Sequence, residues 1–390
     1  MMLIFIVPSG YSNEINPEKN IFIKEQVKAL SNQGNTIVVL NLKFIPLRVR
    51  QGNLSCRIKR EENVFSVEYC KWIKMWGINK IPWLYLYNCE RQMKHLYDAA
   101  EAEFGKPDVI YAHFSYYAGY VASKIAKEKN IPLVVQEHYS TLMQSHIPSY
   151  LVKIVTRTIQ QANSFICVSE NLKKSIQRHC ECLDRKQYVV PNLIDEMFKY
   201  YEVPQNDTFI FFTVGNFLPR KRFAFLVRCF CKAFSKEDNV ILRIGGSGPE
   251  FSQIAELISA NQRKHQIFLL GQLSREKVVK ENISSNCFVL ASECETFGVV
   301  YREAMSIGRP IITTDHGGFD KNLDERDGIM IPVDDEEALV YALQRMRNNY
   351  NKYSGKDISR RCLQETSPGV IAERVNNILK ATVTNYYIKD

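Results

Sequence analysis

Short apolar runs alternate with longer amphipathic segments along most of this 390-residue chain. The first half contains the runs LIFIVP, TIVVLNL, DVIYAH, PLVVQEH, SFICVS and YVVPN, and the second half contains FIFFTVG, VILRIGG, IFLLG, CFVLAS, PIITTD and GIMIPV. Continuous β-branched runs are typical of strands buried on both faces, and helices between them make such strands parallel. The sequence therefore predicts an α/β fold with doubly wound parallel sheets.

The alternation breaks once, at the polar and Pro-containing stretch YYEVPQNDT, which is typical of a linker. We expect a Rossmann-like domain over 1–198, a linker over 199–208 and a second Rossmann-like domain over 209–366. Apolar residues at helical spacing over 367–390 predict a helix that crosses back to the first domain. Two such domains would face each other across a cleft that the carboxyl ends of both sheets can reach.

Composition excludes several classes of protein. Hydrophobic residues make up 45% and charged residues 24%, which is typical of a globular protein. The apolar start MMLIFIVPSG has no basic region before it and no small-residue cleavage site, and no apolar run approaches about 18 residues. The eleven cysteines include no Cys-x-x-Cys and suggest no disulfide framework. We therefore expect a cytoplasmic protein that does not span a membrane.

The net charge of +9 predicts an anionic partner, such as a nucleic acid, an acidic lipid surface or a phosphorylated ligand. Basic residues are concentrated over 43–94, which also contains all three tryptophans within KWIKMWGINKIPWLYLYN. Mixed basic and aromatic side chains suit a membrane interface, so we expect peripheral contact with an anionic membrane, at the inner face of the cytoplasmic membrane. The alternative is a helix packed on the core with its lysines extended to solvent.

The stretch ECETFGVVYREAM contains two carboxylates, Glu295 and Glu303, on either side of a turn into a predicted helix. The first N–H groups of a helix can bind a phosphate or diphosphate, and Gly298 lets the backbone come close to it. Glu303 then suits a ribose diol, and Glu295 suits hydroxyl groups beyond the diphosphate. The pattern indicates a sugar–diphosphate–nucleoside, unless the two residues are only a solvated loop glutamate and a locally paired helix glutamate.

Basic side chains and histidines follow other predicted strands. Arg220, Lys221 and Arg222 come at a helix start after FIFFTVG, where they would neutralise charge on a departing diphosphate. His113 and His138 follow two strands of the first domain. A histidine there suits contact with a hydroxyl group or the orientation of a substrate, although a structural role is equally compatible with the position.

These motifs, in this order, resemble the glycosyltransferases of the GT-B fold, and specifically the retaining family GT4. VVQEHYS resembles the segment with the family's active-site histidine, and VVPNLID resembles its interdomain Pro-Asn-x-x-Asp. VGNFLPRKR resembles the phosphate-binding loop, GSGPE the Gly-x-Gly-Pro-Glu turn, and ETFGVVYRE the Glu-x7-Glu signature. The resemblance extends from residue 1 to about residue 340.

The resemblance implies a role for each matching residue. Glu303 is expected to bind the nucleotide ribose, and Glu295 the hydroxyl groups of the donor sugar. Lys221 is expected to bind the diphosphate, and His138 to contact the donor sugar near the reacting carbon. The phosphate seat is expected to be the backbone of Phe297, Gly298 and Val299.

The phosphate-binding loop departs from the family at one position. The resemblance assigns Gly215, Asn216 and Arg220 to substrate binding, but the family usually has arginine where this chain has Asn216. Whether Arg220 or Arg222 supplies that charge is left open by the sequence.

The resemblance implies a retaining glycosyltransferase without a cofactor, which moves a sugar from a nucleotide diphosphate sugar to a glycan or lipid-linked glycan in bacterial surface polysaccharide synthesis. The second domain would bind the donor and the first domain the acceptor. The sequence contains no Asp-x-Asp, His-Glu-x-x-His or Walker A motif, so we expect metal-independent chemistry. Two alternatives stay open: a nucleotide-sugar epimerase of the same fold, and a non-catalytic module for anionic lipid or nucleic acid. No nucleic-acid motif supports the last of these.

Overall fold

The computed structural model describes residues 1–11, 20–45, 57–72, 82–144, 146–180, 186–203, 207–319 and 323–388. Its contacts divide the chain into two units, the first made of Met1–Leu193 and Pro368–Asp390 and the second of Ile194–Ser367. Each unit has its own sheet flanked by helices. The predicted fold class, α/β with parallel sheets in two domains, is confirmed.

Among the described residues, the first unit begins with eight strands and five α-helices. The strands are β1 (Leu3–Pro8), β2 (Thr36–Ile45), β3 (Arg57–Glu61), β4 (Val64–Trp72), β5 (Val109–His113), β6 (Leu133–Glu137), β7 (Ser164–Cys167) and β8 (Gln187–Val189). The helices are α1 (Ile21–Ser31), α2 (Pro82–Phe104), α3 (Tyr120–Lys129), α4 (Ser149–Gln161) and α5 (Glu170–His179), with a π-helix at Ser115–Gly119 and a 3-10 helix at Ser140–Met143. The strand order is β3-β4-β2-β1-β5-β6-β7-β8.

The described part of the second unit has six strands, all parallel to their neighbours, in the order β11-β10-β9-β12-β13-β14. They are β9 (Phe209–Val214), β10 (Val240–Gly245), β11 (Ile267–Gly271), β12 (Cys287–Leu290), β13 (Ile311–Thr314) and β14 (Gly328–Ile331). The helices are α6 (Phe223–Ala233), α7 (Phe251–Ala260), α8 (Arg275–Ser284), α9 (Val299–Ile307), α10 (Glu336–Asn348) and α11 (Gly355–Thr366), followed in the chain by α12 (Pro368–Tyr387).

The last helix, α12, packs in the first unit, as the sequence led us to expect. Its residues Ile371, Val375 and Leu379 belong to the same buried core as β1, β2 and α1. Polar contacts fix it further, because Asn35 Nδ2 donates to Asn376 Oδ1 at 3.1 Å in the buried interior. The core of the first unit therefore includes residues of α12 as well as residues before Leu193.

The boundary between the units falls after Leu193, several residues before the predicted linker. The start of that predicted linker is fastened to the second unit. The guanidinium of the fully buried Arg309 donates to the carbonyl oxygens of Tyr201 at 3.0 Å and Glu202 at 3.2 Å. Polar composition and a proline predicted a flexible linker there. In the structure, the buried guanidinium of Arg309 instead satisfies these backbone carbonyls.

The basic and aromatic block over 43–94 contains two elements that the sequence did not reveal. β3 and β4 form an antiparallel hairpin at the edge of the sheet, with Glu62 at a φ of 53° in the turn. The helix α2 follows and exposes the side chain of Trp83. The side chains of Trp72 and Lys71, and the whole of residues 73–81, which include Trp76, Lys74 and Lys80, lie outside the described residues.

None of the helices in the described ranges combines the length and the apolar character that crossing a bilayer requires.

Candidate active site

Glu295 lies in the loop that joins β12 to α9 in the second unit. This loop ends at Gly298, which has a φ of 73° and immediately precedes the first residue of α9. A Cβ on Gly298 would lie 2.7 Å from Cδ2 of Tyr301, so both the backbone conformation and the packing require glycine. Tyr301 Oη donates to the carbonyl of Leu290 at 2.8 Å, which ties the first turn of α9 to the end of β12.

Lys221 contacts Glu295, although 74 positions separate them in the chain. Lys221 ends the 3-10 turn Pro219–Lys221, and its Nζ donates to Glu295 Oε1 in a largely buried ion pair. Ser292 Oγ donates to the same oxygen at 2.9 Å. The backbone N–H of Glu293 also donates to the carbonyl of Arg220 at 2.7 Å. The two loops that the sequence assigned to substrate therefore lie side by side.

The electrostatic environment of Glu295 favours its ionised form. Burial raises the pKa of this carboxyl, but the charge and hydrogen bond of Lys221 and the hydrogen bond from Ser292 outweigh burial and lower the pKa of Glu295 below its ordinary value. Glu295 is therefore a carboxylate at neutral pH, with one oxygen occupied by two donors.

His316 is a neighbour of Glu295 that sequence reasoning missed. Its carbonyl accepts from the N–H of Glu295 at 3.2 Å, and its Nδ1 accepts from the N–H of Gly318 at 2.9 Å. Burial lowers the pKa of His316 to about 4, so the ring is neutral and its proton lies on Nε2. A Cβ on Gly318 would approach Glu295 Cβ at 2.9 Å. The one available signal was the pair of glycines after the strand PIITTD, which indicates close backbone packing there.

Glu303, on α9, is buried and paired with Arg275 at the start of α8. Arg275 Nη1 lies 3.1 Å from Glu303 Oε1, and its guanidinium carbon lies 4.9 Å from the centroid of the Phe198 ring. Glu303 is therefore paired with a residue of another helix, and is not the locally paired helix glutamate that the sequence left open. Arg275 was also missed, because an arginine after the helix cap Ser274 carries no family motif and gives no sign of its partner.

The two arginines beside Lys221 have different surroundings. Arg222 Nη2 lies 2.5 Å from Asp334 Oδ2 and 3.8 Å from Glu293 Oε2, so this guanidinium is held by two carboxylates. Arg220 has no ion pair with any residue in the described ranges. Of the two candidates for the missing family arginine, Arg220 thus has the charge that is open to a ligand.

The glycines of RIGGSGPE pack against the predicted phosphate-binding loop. A Cβ on Gly246 would lie 1.9 Å from the carbonyl oxygen of Gly215, and a Cβ on Gly248 would lie 2.7 Å from the backbone nitrogen of Phe217. Asn216, between these two contacts, is exposed. Gly246 and Gly248 therefore pack closely against the backbone of this loop, and the side chain of Asn216 is exposed to solvent.

The remaining seat residues flank Gly298. Phe297 is buried, and the guanidinium carbon of Arg302 lies 5.5 Å from its ring centroid and 4.2 Å from that of Phe319. Val299 is the first residue of α9. These contacts anchor the predicted phosphate seat, the backbone of Phe297, Gly298 and Val299.

In the first unit, His138 and Glu137 lie at the carboxyl end of β6. His138 Nε2 lies 3.2 Å from Nδ1 of His113, which ends the neighbouring strand β5. Burial lowers the pKa of His138 to about 3, and it also lowers the pKa of His113 well below the ordinary value. Glu137 accepts from the backbone N–H groups of Ser115, His138 and Tyr139, each at 2.8 Å. Its role in organising this loop was not predicted.

The predicted residues are thus divided between the units: His113 and His138 belong to the first, and the others belong to the second. Within the described part of the chain, no group of three or more His, Cys, Asp or Glu side chains could hold a metal ion.

Two family profiles match the chain in succession. The family described as Glycosyltransferase Family 4 matches residues 20–197, and the family described as Glycosyl transferases group 1 matches residues 195–358. Between them, the two matches include every site residue described above. The chain belongs to glycosyltransferase family 4.

This family 4 glycosyltransferase is similar to curated proteins whose names state different activities. The GPI3 subunit of phosphatidylinositol N-acetylglucosaminyltransferase from Saccharomyces cerevisiae is 26% identical over 204 residues, which cover 50% of this chain and 45% of the yeast protein. The N-acetyl-α-D-glucosaminyl L-malate synthase of Bacillus anthracis is 26% identical over 256 residues, which cover 62% of this chain and 66% of that protein. The chain therefore spans about half of the length of the yeast relative.

Solved structures similar to this family 4 glycosyltransferase cover nearly all of it. The sucrose-phosphate synthase of Thermosynechococcus elongatus has a TM-score of 0.79 at 17% identity and covers 99% of this chain and 100% of its own. HepE of Anabaena, solved with UDP and glucose, has a TM-score of 0.73 at 13% identity and covers 98% of this chain and 100% of its own. At these identities the similarity shows the fold, which is GT-B.

Proposed function

We propose that this family 4 glycosyltransferase moves a sugar from a nucleotide diphosphate sugar to a hydroxyl group of a glycan or lipid-linked glycan. The observation that carries the proposal is the buried pair of Lys221 and Glu295 beside the loop that enters α9. A cation, a carboxylate and a helix N-terminus close together match the alternation of diphosphate and hydroxyl groups in a nucleotide sugar. The proposed donor is supported further by HepE, a protein of the same fold that was solved with UDP and glucose.

Each candidate site residue of the second unit has a role in this proposal. Lys221 has three N–H donors, so it can bind a phosphate oxygen while it keeps its bond to Glu295. The phosphate seat binds the diphosphate through backbone N–H groups, and Arg220 adds charge. Glu303, oriented by Arg275, accepts from the ribose hydroxyl groups. The carboxylate of Glu295 accepts from hydroxyl groups of the donor sugar.

The proposed reaction is electrostatic and retains the anomeric configuration. The bond between the anomeric carbon and the diphosphate oxygen breaks as the acceptor oxygen bonds to the same face of that carbon, and the acceptor's proton passes to the departing diphosphate. Glu295 is poorly suited to act as a nucleophile, because Lys221 and Ser292 both donate to its Oε1. Stabilisation of the leaving group by fixed donors is the main catalytic effect that we propose. No metal or cofactor is part of the proposal.

The proposed acceptor is a lipid-linked glycan of bacterial surface polysaccharide, such as capsule, exopolysaccharide or lipopolysaccharide. The name of the yeast relative states a phosphatidylinositol acceptor, which supports a substrate at a lipid surface. The start of α2 exposes an aromatic patch, defined here as Trp83, Leu84 and Tyr87, and the guanidinium carbon of Arg157 lies 5.2 Å from the Trp83 ring centroid. Mixed aromatic and basic groups of this kind suit peripheral contact with an anionic leaflet of the cytoplasmic membrane.

A panel of nucleotide sugars tests the proposal. The purified chain is incubated with UDP-, GDP- and ADP-sugars in excess EDTA, with and without candidate glycan acceptors, and the released nucleoside diphosphate is measured. We expect one donor to be consumed, faster with an acceptor, and NMR of the product to show the donor's own anomeric configuration. Release of an epimerised free sugar without an acceptor would indicate an epimerase instead. Reversible loss of activity in EDTA would contradict the metal-independent reaction.

A further inference from the structure

His113 and His138 meet edge to edge at the carboxyl ends of neighbouring parallel strands. Nδ1 of His113 lies 3.2 Å from Nε2 of His138, and the two ring planes differ by 24°. The ring centroids are 5.4 Å apart. This separation is close to the sum of the N···N distance and the two centroid-to-nitrogen distances, as expected when the two nitrogens lie on the line between the ring centres. The rings therefore do not overlap face to face. Each nitrogen points its in-plane orbital at the other, which is the geometry of an N–H···N hydrogen bond.

This contact requires one proton, and only two arrangements provide it. Both rings are buried, and burial holds both pKa values low enough for each ring to be neutral and to carry a single N–H. Either Nδ1–H of His113 donates to Nε2 of His138, or Nε2–H of His138 donates to Nδ1 of His113. The first arrangement leaves His138 with its proton on Nδ1, and the second leaves Nδ1 of His138 bare.

The side chain of Asn192 distinguishes the two arrangements. Its Oδ1 is a buried acceptor without a well-formed hydrogen bond, and Nδ1 of His138 is likewise unpaired. Asn192 lies close enough to His138 to favour protonation of the ring, which partly opposes the effect of burial on the pKa. In the first arrangement an N–H of His138 faces this oxygen. In the second, a bare nitrogen would face a bare oxygen, and the orphan N–H would lie on Nε2 of His113, buried without a partner.

We propose that His113 is a positioning residue, which donates its Nδ1–H to Nε2 of His138 and thereby places the proton of His138 on Nδ1, toward Asn192. The tautomer itself does not depend on the proposed function. Only its consequence for the transfer reaction rests on that function. With its one lone pair occupied by His113, His138 cannot accept a proton from the acceptor hydroxyl. It stays neutral and takes no proton, which is what a reaction without a protein base requires.

The tautomer of His138 can be measured directly in the full chain. Protein labelled with 15N-histidine contains seven histidines, and the His138→Gln variant assigns the signal of His138 by its disappearance. In a long-range 1H–15N spectrum, the protonated and the bare ring nitrogen have well separated shifts. We expect Nδ1 of His138 to be the protonated nitrogen in the wild-type protein. An Nε2–H signal for His138 would overturn the proposal.

Two variants of His113 test the positioning role. His113→Asn retains an N–H donor near the position of Nδ1, whereas His113→Leu removes it and keeps an apolar side chain. We expect the bare Nε2 of His138 to keep the 15N shift of a hydrogen-bond acceptor in His113→Asn and to move downfield in His113→Leu, where the donor is lost. An unchanged Nε2 shift in His113→Leu would show that His113 does not donate to His138. The wild-type spectrum remains decisive if either variant folds poorly.

Turnover of the nucleotide sugar that the wild-type protein consumes supplies the second measurement. We expect kcat to fall about tenfold in His113→Leu with KM nearly unchanged, and to recover in His113→Asn. A fall in KM and kcat that both variants share would indicate a structural role only, and would overturn the proposal. If the wild-type protein consumes no nucleotide sugar, the proposed function fails, while the tautomer is still read from the spectrum.

Discussion

Lys221 and Glu295 neutralise each other where water is largely excluded. Desolvation offsets much of the attraction in such a pair, but removal of one partner leaves an uncompensated charge. The pair therefore holds an ammonium group beside the loop into α9 without leaving a net charge there. This arrangement makes specific predictions for each of the two side chains.

Glu295→Gln is expected to lower turnover by about a hundredfold, which corresponds to roughly 2.7 kcal/mol of transition-state stabilisation. The amide has the shape of the carboxylate but cannot accept from sugar hydroxyl groups as strongly. Because Lys221 would lose its counter-charge, the affinity for a nucleoside diphosphate should hold or rise. Initial rates and calorimetric titration with UDP, GDP and ADP measure both effects. The control is Glu293→Gln, a neighbouring but exposed carboxylate, and near-normal turnover of Glu295→Gln would refute the assignment.

Lys221→Ala is expected to weaken the binding of a nucleoside diphosphate by about tenfold or more, and that of the monophosphate much less. The reason is that its ammonium is proposed to bind the diphosphate, which has one phosphate more than the monophosphate. Titration of both nucleotides measures the ratio. Lys232→Ala is a matched control, since Lys232 lies on α6 and its ion pair with Glu336 is exposed. Equal losses for the two nucleotides would place Lys221 elsewhere on the ligand.

The lowered pKa of Glu295 predicts the sign of a pH effect on stability. The folded-state pKa lies below the unfolded value of about 4.3, so the unfolded chain binds more protons as the pH falls. The stabilisation from this group is complete above the unfolded pKa and is lost as the pH falls through the folded pKa. We expect the Tm advantage of wild type over Glu295→Gln to be largest near about pH 6 and to shrink below about pH 4. A pH-independent difference in Tm would show that ionisation of Glu295 does not stabilise the fold.

At the scale of secondary structure, most elements could be predicted from periodicity and caps. α5 was expected over 169–180, and Ser169 caps it by accepting from the N–H of Leu172. The hairpin of β3 and β4 was missed because the prediction relied on continuous apolar runs, which two-sided burial produces. The edge strand β3 has no such run, because its one apolar residue, Ile58, is itself exposed, so its signal is weaker.

The candidate site was only partly predictable for a related reason. Motifs identified the positions of Glu295, Lys221 and Glu303, because the first two lie between a strand and a helix and the third lies in α9 at a fixed spacing from Glu295. Their partners could not be predicted, since contacts across 74 residues for Lys221 and Glu295 depend on how neighbouring strands are ordered. His316 and Arg275 reach the same site from other strand ends, and neither has a motif of its own.

The entry into α9 yields a prediction for Gly298→Ala. Alanine at a φ of 73° is strained, and its Cβ would also meet Tyr301 at 2.7 Å. Gly34→Ala is a matched control, because its φ is 83° but nothing lies within 4 Å of the added Cβ. We expect about 1 kcal/mol of destabilisation for Gly34→Ala and about 2–3 kcal/mol for Gly298→Ala, measured by urea unfolding. Only Gly298→Ala should also weaken diphosphate binding, and equal costs for the two variants would refute the contact with Tyr301.

At the scale of the whole molecule, the positive net charge of +9 and the aromatic patch on α2 predict binding to anionic vesicles. Binding should weaken as salt rises, because charges more than about 8–10 Å apart are screened at physiological ionic strength. Sedimentation with neutral and anionic vesicles measures it, and Trp83→Ala combined with Leu84→Ala should reduce it severalfold. Phe268→Ala, which removes an equally exposed aromatic residue from the second unit, is the control. Equal sedimentation with both kinds of vesicle would favour an acceptor that is not at a membrane.

A crystal structure with a bound nucleoside diphosphate tests the central claim most directly. The ligand is chosen by titration with UDP, GDP and ADP. The account predicts phosphate oxygens within about 3.2 Å of Lys221 Nζ and of the backbone N–H groups of the phosphate seat, with the ribose hydroxyl groups on Glu303. A nucleotide bound elsewhere, with the ion pair of Lys221 and Glu295 untouched, would contradict it.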